Sequence, residues 1–72
     1  MNTALQDSNL KIHRLPEVQV LTGLPRSTIY RRIEEGTFPK SISLGPRSVG
    51  WLHEDIQKWI ADRVIASSIS QL

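Results

Sequence analysis

The triplet Gly23-Leu24-Pro25 divides a helix-competent stretch from Leu15 to Glu35 into two short segments, and this break constrains the fold more than any other feature of the chain. Upstream of it, Pro16 suits the first turn of a helix, where a missing N–H leaves nothing unpaired, and Glu17 follows where the helix dipole favours an acid. Leu15, Val18 and Leu21 recur every three residues, which predicts one buried stripe on a helix of roughly two turns. Gly23 is suited to end that helix in a left-handed conformation. Downstream, Pro25 can open a second helix that meets no breaker until Gly36. After Gly36-Thr37-Phe38-Pro39 the period changes from helical to two. Ile42 and Leu44 alternate with Ser41 and Ser43, Gly45-Pro46-Arg47-Ser48 turns the chain, and Val49 and Trp51 alternate again, predicting a hairpin with one apolar face. Lys11 to Arg14 can form a short strand. From about Glu54 a last helix presents Ile56, Trp59, Ile60 and Arg63 on one side. The pattern predicts a mainly α fold with a small β-hairpin: a winged helix-turn-helix of three helices plus wing.

A chain of 72 residues is a single domain, and a core of that size supplies only roughly 3–5 kcal/mol unless something staples it. Zero cysteines exclude a disulfide framework and a thiolate zinc site, and His13 and His53 lie too far apart in sequence to read as a metal-ligand motif. No cofactor or metal is expected. The first residues lack a charged start followed by an apolar run, and no stretch is apolar enough for a membrane span, so a soluble, cytoplasmic protein is expected. Residues 1–10 and 67–72 are expected to be a flexible arm and a flexible tail around a domain at residues 11–66.

Net charge is only +2, but it is unevenly placed. Lys11, Arg14, Arg26, Arg31, Arg32, Lys40 and Arg47 face only three acids between residues 11 and 47, whereas from Gly50 onward two basic residues meet three acidic ones. That asymmetry fits one face docking on a polyanion. With Ile29 at 0° and steps of about 100°, Ile33 falls near 40°, while Ser27, Arg31, Glu35 and Thr28 fall between about 160° and 260°. The outward side of the second helix therefore carries hydroxyls and a guanidinium. Arg31 with Ser27 and Thr28 is the expected base-edge constellation in double-stranded DNA, because arginine can bond two acceptors of guanine in the major groove. The plainer alternative is that Arg31 pairs with Glu34 or Glu35 on a solvated helix. Arg26, Arg32 and Lys40 are expected as phosphate clamps, Arg47 and Ser48 as the contact from the wing, and Tyr30 as either a phosphate donor or a packing residue. Trp51 and Trp59 sit on apolar faces and read as core rather than as stacking platforms. Glu34 and Glu35 diverge on a helix, as do Glu54 and Asp55, and no nucleophile motif or glycine-rich phosphate loop occurs, so neither an enzyme nor a small-molecule substrate is expected.

Arg14-Leu15-Pro16-Glu17-Val18, Leu21-Thr22-Gly23-Leu24, Arg26 to Arg31, Gly36-Thr37-Phe38-Pro39-Lys40, Leu44-Gly45, Val49-Gly50-Trp51, Asp55-Ile56 and Trp59-Ile60 together resemble the AlpA-like prophage regulators, over roughly residues 12–63. Those proteins are similar to phage excisionases and to the DNA-binding domain of MerR-type regulators. The resemblance implies a winged helix-turn-helix acting on DNA near an integrated element, as a transcriptional regulator or as an architectural excision factor beside an integrase. The chain departs from the family pattern at Pro25 and His53, both of which often are serines at helix starts. From module size, useful specificity is expected to need further copies side by side or a DNA-bound partner. The rival reading from another class is a protein-interaction module using the same surface.

Overall fold

Left-handed glycines set the lengths of the first two helices. The computed structural model describes residues 10–70; the expected N-terminal arm, Leu10 apart, and the last two residues lie outside the described residues. β1 (Ile12–His13) leads into α1 (Leu15–Thr22), followed by α2 (Arg26–Glu35), β2 (Ile42–Gly45), β3 (Ser48–Leu52) and α3 (His53–Ser70). α1 begins after an extended Arg14, whose backbone N–H donates to the Glu17 carboxylate at 3.4 Å. It ends at Gly23, φ 74°, whose N–H donates to Gln19 O at 2.8 Å. Pro25 is extended and occupies the cap position of α2 without a side-chain cap bond, one residue earlier than the helical position its ring suggested. Gly36, φ 80°, closes α2 in a Schellman arrangement: its N–H and that of Thr37 donate to Ile33 O at 3.1 Å and Arg32 O at 2.8 Å. Three residues thus separate α1 from α2, the spacing of a helix-turn-helix.

The core is small and draws on every helix. Val18, Ile29, Phe38, Trp51 and Ile56 are buried, with Leu15, Leu24, Ile33, Val49, Trp59 and Ile60 packed against them. Leu21 is the exception to the expected α1 stripe, at 41% exposure. A spacing of three falls short of the helical repeat, so Leu21 rotates away from the core just as the helix ends. The three strands form one antiparallel sheet in the order β1-β3-β2.

The expectation of a hairpin with one apolar face needs correction. Ile42 pairs with Gly50 and Ser43 with Val49, so Ile42 lies on the opposite face from Val49 and Trp51. Alternation distinguishes the two faces of a strand but not which face its partner shares, and the two-residue turn and bulge before Gly45 decide that here. The outer face is filled over Gly50: a Cβ there would collide with Ile12 and lie 3.1 Å from Leu44 Cδ1. The two histidines are distant in sequence but adjacent in space, although among the described residues no group of three or more His, Cys, Asp or Glu side chains could hold a metal ion. Forty residues apart, His13 Nε2 and His53 Nδ1 meet at 2.8 Å, with Glu17 Oε1 3.3 Å from His13 Nδ1. That chain of contacts ties β1 to the starts of α1 and α3. α3 continues past residue 66 to Ser70, since no glycine or proline follows Gly50 to stop it. Among the described residues no helix is long and apolar enough to cross a membrane.

Candidate nucleic-acid interface

α2 is fixed from beneath by Ile29, which is fully buried, and its opposite side is turned to solvent. Ser27, Arg31 and Glu35 are exposed on that side, while Thr28 is half-buried and sits at its margin. Arg31 Nε lies 3.9 Å from Glu35 Oε2, so the plainer reading of a helix-surface pair is also present. At that separation, with both side chains more than half exposed, such a pair contributes at most about 0.5 kcal/mol and leaves the guanidinium available.

A ladder of rings leads from the core to the start of α2. The Tyr30 ring meets buried Trp51 edge-on at 6.4 Å between centroids, and the Arg26 guanidinium stands 5.7 Å from the Tyr30 centroid. Trp51 is held in turn by its indole N–H, which donates to Pro39 O at 3.0 Å. Tyr30 therefore packs, at 38% exposure, while orienting Arg26 beside the turn. The packing alternative named for Tyr30 is therefore present in the structure, and its partial exposure leaves room for the other.

The hairpin tip places a cation at a backbone conformation that side chains seldom adopt. Arg47, φ 59°, is the one residue other than glycine with positive φ among the described residues, and it follows Pro46 in a two-residue turn. It is exposed, and Ser48 beside it is half-buried. Arg32 is half-buried on the flank of α2.

Lys40 stands apart. It borders an open cleft with Asp55, Lys58 and Asp62, where two carboxylates balance the amines. Across Trp59 lies a second cleft lined by Arg31, Arg32, Glu35, Thr37 and Arg63. Its spacing puts Arg63 on the apolar side of α3, yet it borders this cleft beside the end of α2. Nothing in the periodicity of α3 could have found it, because the core ends after Ile60 and the next turn hangs over the end of α2.

Comparison with known proteins gives this arrangement a family. Residues 11–64 match the family described as Prophage CP4-57 regulatory protein (AlpA). The chain is 51% identical over 51 residues to an uncharacterized protein, ORF88, of Enterobacteria phage P4, covering 71% of this chain and 58% of that protein. It is also 40% identical over 62 residues to the DNA-binding transcriptional activator AlpA of Escherichia coli (strain K12), covering 78% of this chain and 89% of the relative. The chain thus spans less than two thirds of the phage relative but most of the bacterial one. No solved structure matches. The matched segment takes in β1 through most of α3, and with it the helix-turn-helix, the hairpin and both clefts. This chain belongs to the AlpA family of prophage regulatory proteins.

Proposed function

We propose that this protein regulates transcription of a prophage or similar integrated element by binding double-stranded DNA in a sequence-specific manner. In this reading α2 enters the major groove and the β2–β3 tip reaches the adjacent backbone. The observation that carries it is the division of α2 into a buried side at Ile29 and a solvent side bearing Ser27 and Arg31. The printed name of the Escherichia coli relative, a DNA-binding transcriptional activator, supports the same class of partner. Arg31 reads base edges and Ser27 and Thr28 adapt to bases or phosphate, while Arg26, Arg32 and Arg47 hold the backbone.

The test is selection of a preferred site from random duplexes, followed by measurement of Arg31→Ala on that site and on a random duplex. Arg31→Ala is expected to lose about 1–3 kcal/mol on the selected site and much less on the random one. Equal losses on both would move Arg31 from reading to clamping, and failure to enrich any site would reject sequence-specific recognition.

Arg47 separates stability from binding. At φ 59° a residue with a Cβ is strained by about 1 kcal/mol relative to glycine, so Arg47→Gly is expected to raise the thermal midpoint by a few degrees. The same change removes a phosphate contact, so duplex affinity should fall and its salt dependence should become shallower by about 0.9 in log–log slope. A variant that is more stable and binds as well as the parent would take the wing tip out of the interface.

A further inference from the structure

From the cleft between α2 and α3 we propose that Arg63 is a phosphate contact, so that the DNA backbone crosses the C-terminal end of α2 and touches the closing helix as well as the wing. This rests on the DNA-binding reading above and extends its footprint to an element with no part in it so far.

Three arginines from two helices, Arg31, Arg32 and Arg63, border this cleft against one carboxylate, Glu35. The neighbouring cleft holds Lys40 and Lys58 against Asp55 and Asp62 and is balanced. The excess of positive charge is therefore local to one side of Trp59. Arg63 is exposed and has no ion pair among the described residues, whereas the other cation of α3, Lys58, lies 3.6 Å from Asp62. An unpaired guanidinium presents a planar fork of donors suited to a phosphodiester.

The backbone position of Arg63 follows from how α3 is seated. Trp59, four residues earlier and on the same face of α3, donates its indole N–H to Thr37 O at 2.9 Å and meets Phe38 edge-on at 5.0 Å. Those two contacts seat α3 on the segment that leaves α2, so Arg63 projects one helical turn beyond a pinned residue. A free anion has little to hold it at this place. The end of α2 carries the negative pole of the helix dipole, and its capping N–H groups are already used on Arg32 O and Ile33 O. A polyanion already held along α2 gains the contact without needing backbone donors.

The test compares the full chain with Arg63→Gln and Arg63→Lys on the selected duplex and on a random one, across a salt series, with helicity checked by circular dichroism. Arg63→Gln is expected to bind both duplexes more weakly by the same factor, with a log–log salt slope shallower by about 0.9, and Arg63→Lys to keep the parental slope. An unchanged slope in Arg63→Gln overturns the proposal while leaving the DNA reading intact, as does a loss confined to the selected site. A parental protein that binds no duplex overturns the DNA reading and this contact with it. Inorganic phosphate that binds the parent but not Arg63→Gln, with duplex affinity equal in both, assigns the cleft to a free anion and also overturns it.

Discussion

Raising the salt concentration fourfold, from about 50 to about 200 mM, is expected to weaken binding to duplex DNA about 500-fold. The figure follows from the side chains available to the backbone. Arg26, Arg32 and Arg47 are the backbone contacts of the proposed surface, Arg63 adds a fourth, and Lys40, which stands apart across Trp59, is counted as the fifth. Neutralising about five phosphates releases their condensed counterions and gives a log–log slope near −4.5. Net charge offers little besides these contacts: at +2 for the whole chain, long-range attraction is weak, and the dependence must come from groups at the surface of contact. Lys40 shares its cleft with Asp55 and Asp62, and without its contact the slope is about −3.6. Anisotropy of a labelled duplex over the series measures the slope directly. A response that is flat across this range would mean that the arginines solvate a face that meets something other than nucleic acid, and the protein-interaction reading would take its place.

What could be read from the sequence was local. Gly23 and Gly36 end helices where their left-handed φ is needed, and the switch of period after Pro39 marks the hairpin. The outward phase of Ser27 and Arg31 follows from burial of Ile29 alone. What could not be read depends on partners distant in the chain. The sheet order β1-β3-β2 requires Ile12 to find Leu52, and a two-residue strand has too little pattern to announce this. The meeting of His13 with His53 follows from that pairing and not from any spacing. Ile42 and Leu44 read as sharing a face with Val49 and Trp51 because alternation carries no information about register. Arg63 shared the phase of Ile56 and Ile60 but lies beyond the edge of the core, and helix phase alone does not reveal where a core stops. The missed features thus depend on β1, on the register of β2 and on the end of α3, whereas the C-terminal stop and the solvent face of α2, governed by Gly36 and by its own periodicity, were legible.

Trp51→Ala is expected to abolish the cooperative unfolding transition rather than to shift it. Trp51 is the largest fully buried side chain, and the strand that carries it lies between β1 and β2 in the sheet and packs against α1 and α3. Truncating a buried tryptophan costs about 3–5 kcal/mol, and a domain of this size without disulfide or metal has roughly 3–5 kcal/mol in all. The loss is therefore comparable to the whole stability. Trp51→Phe separates the ring from its hydrogen bond: most of the burial remains, but Pro39 O loses the indole donor that reaches it at 3.0 Å. That variant is expected to stay folded with a loss of about 1–3 kcal/mol. Circular dichroism during urea unfolding distinguishes the two, and Trp59 remains as a fluorescent reporter in both. Retention of a sharp transition in Trp51→Ala, with its midpoint near the parental one, would mean that the sheet and helices are held together elsewhere. The ladder from Trp51 through Tyr30 to Arg26 would then have no fixed foot, and the orientation of the guanidinium at the start of α2 would need another cause.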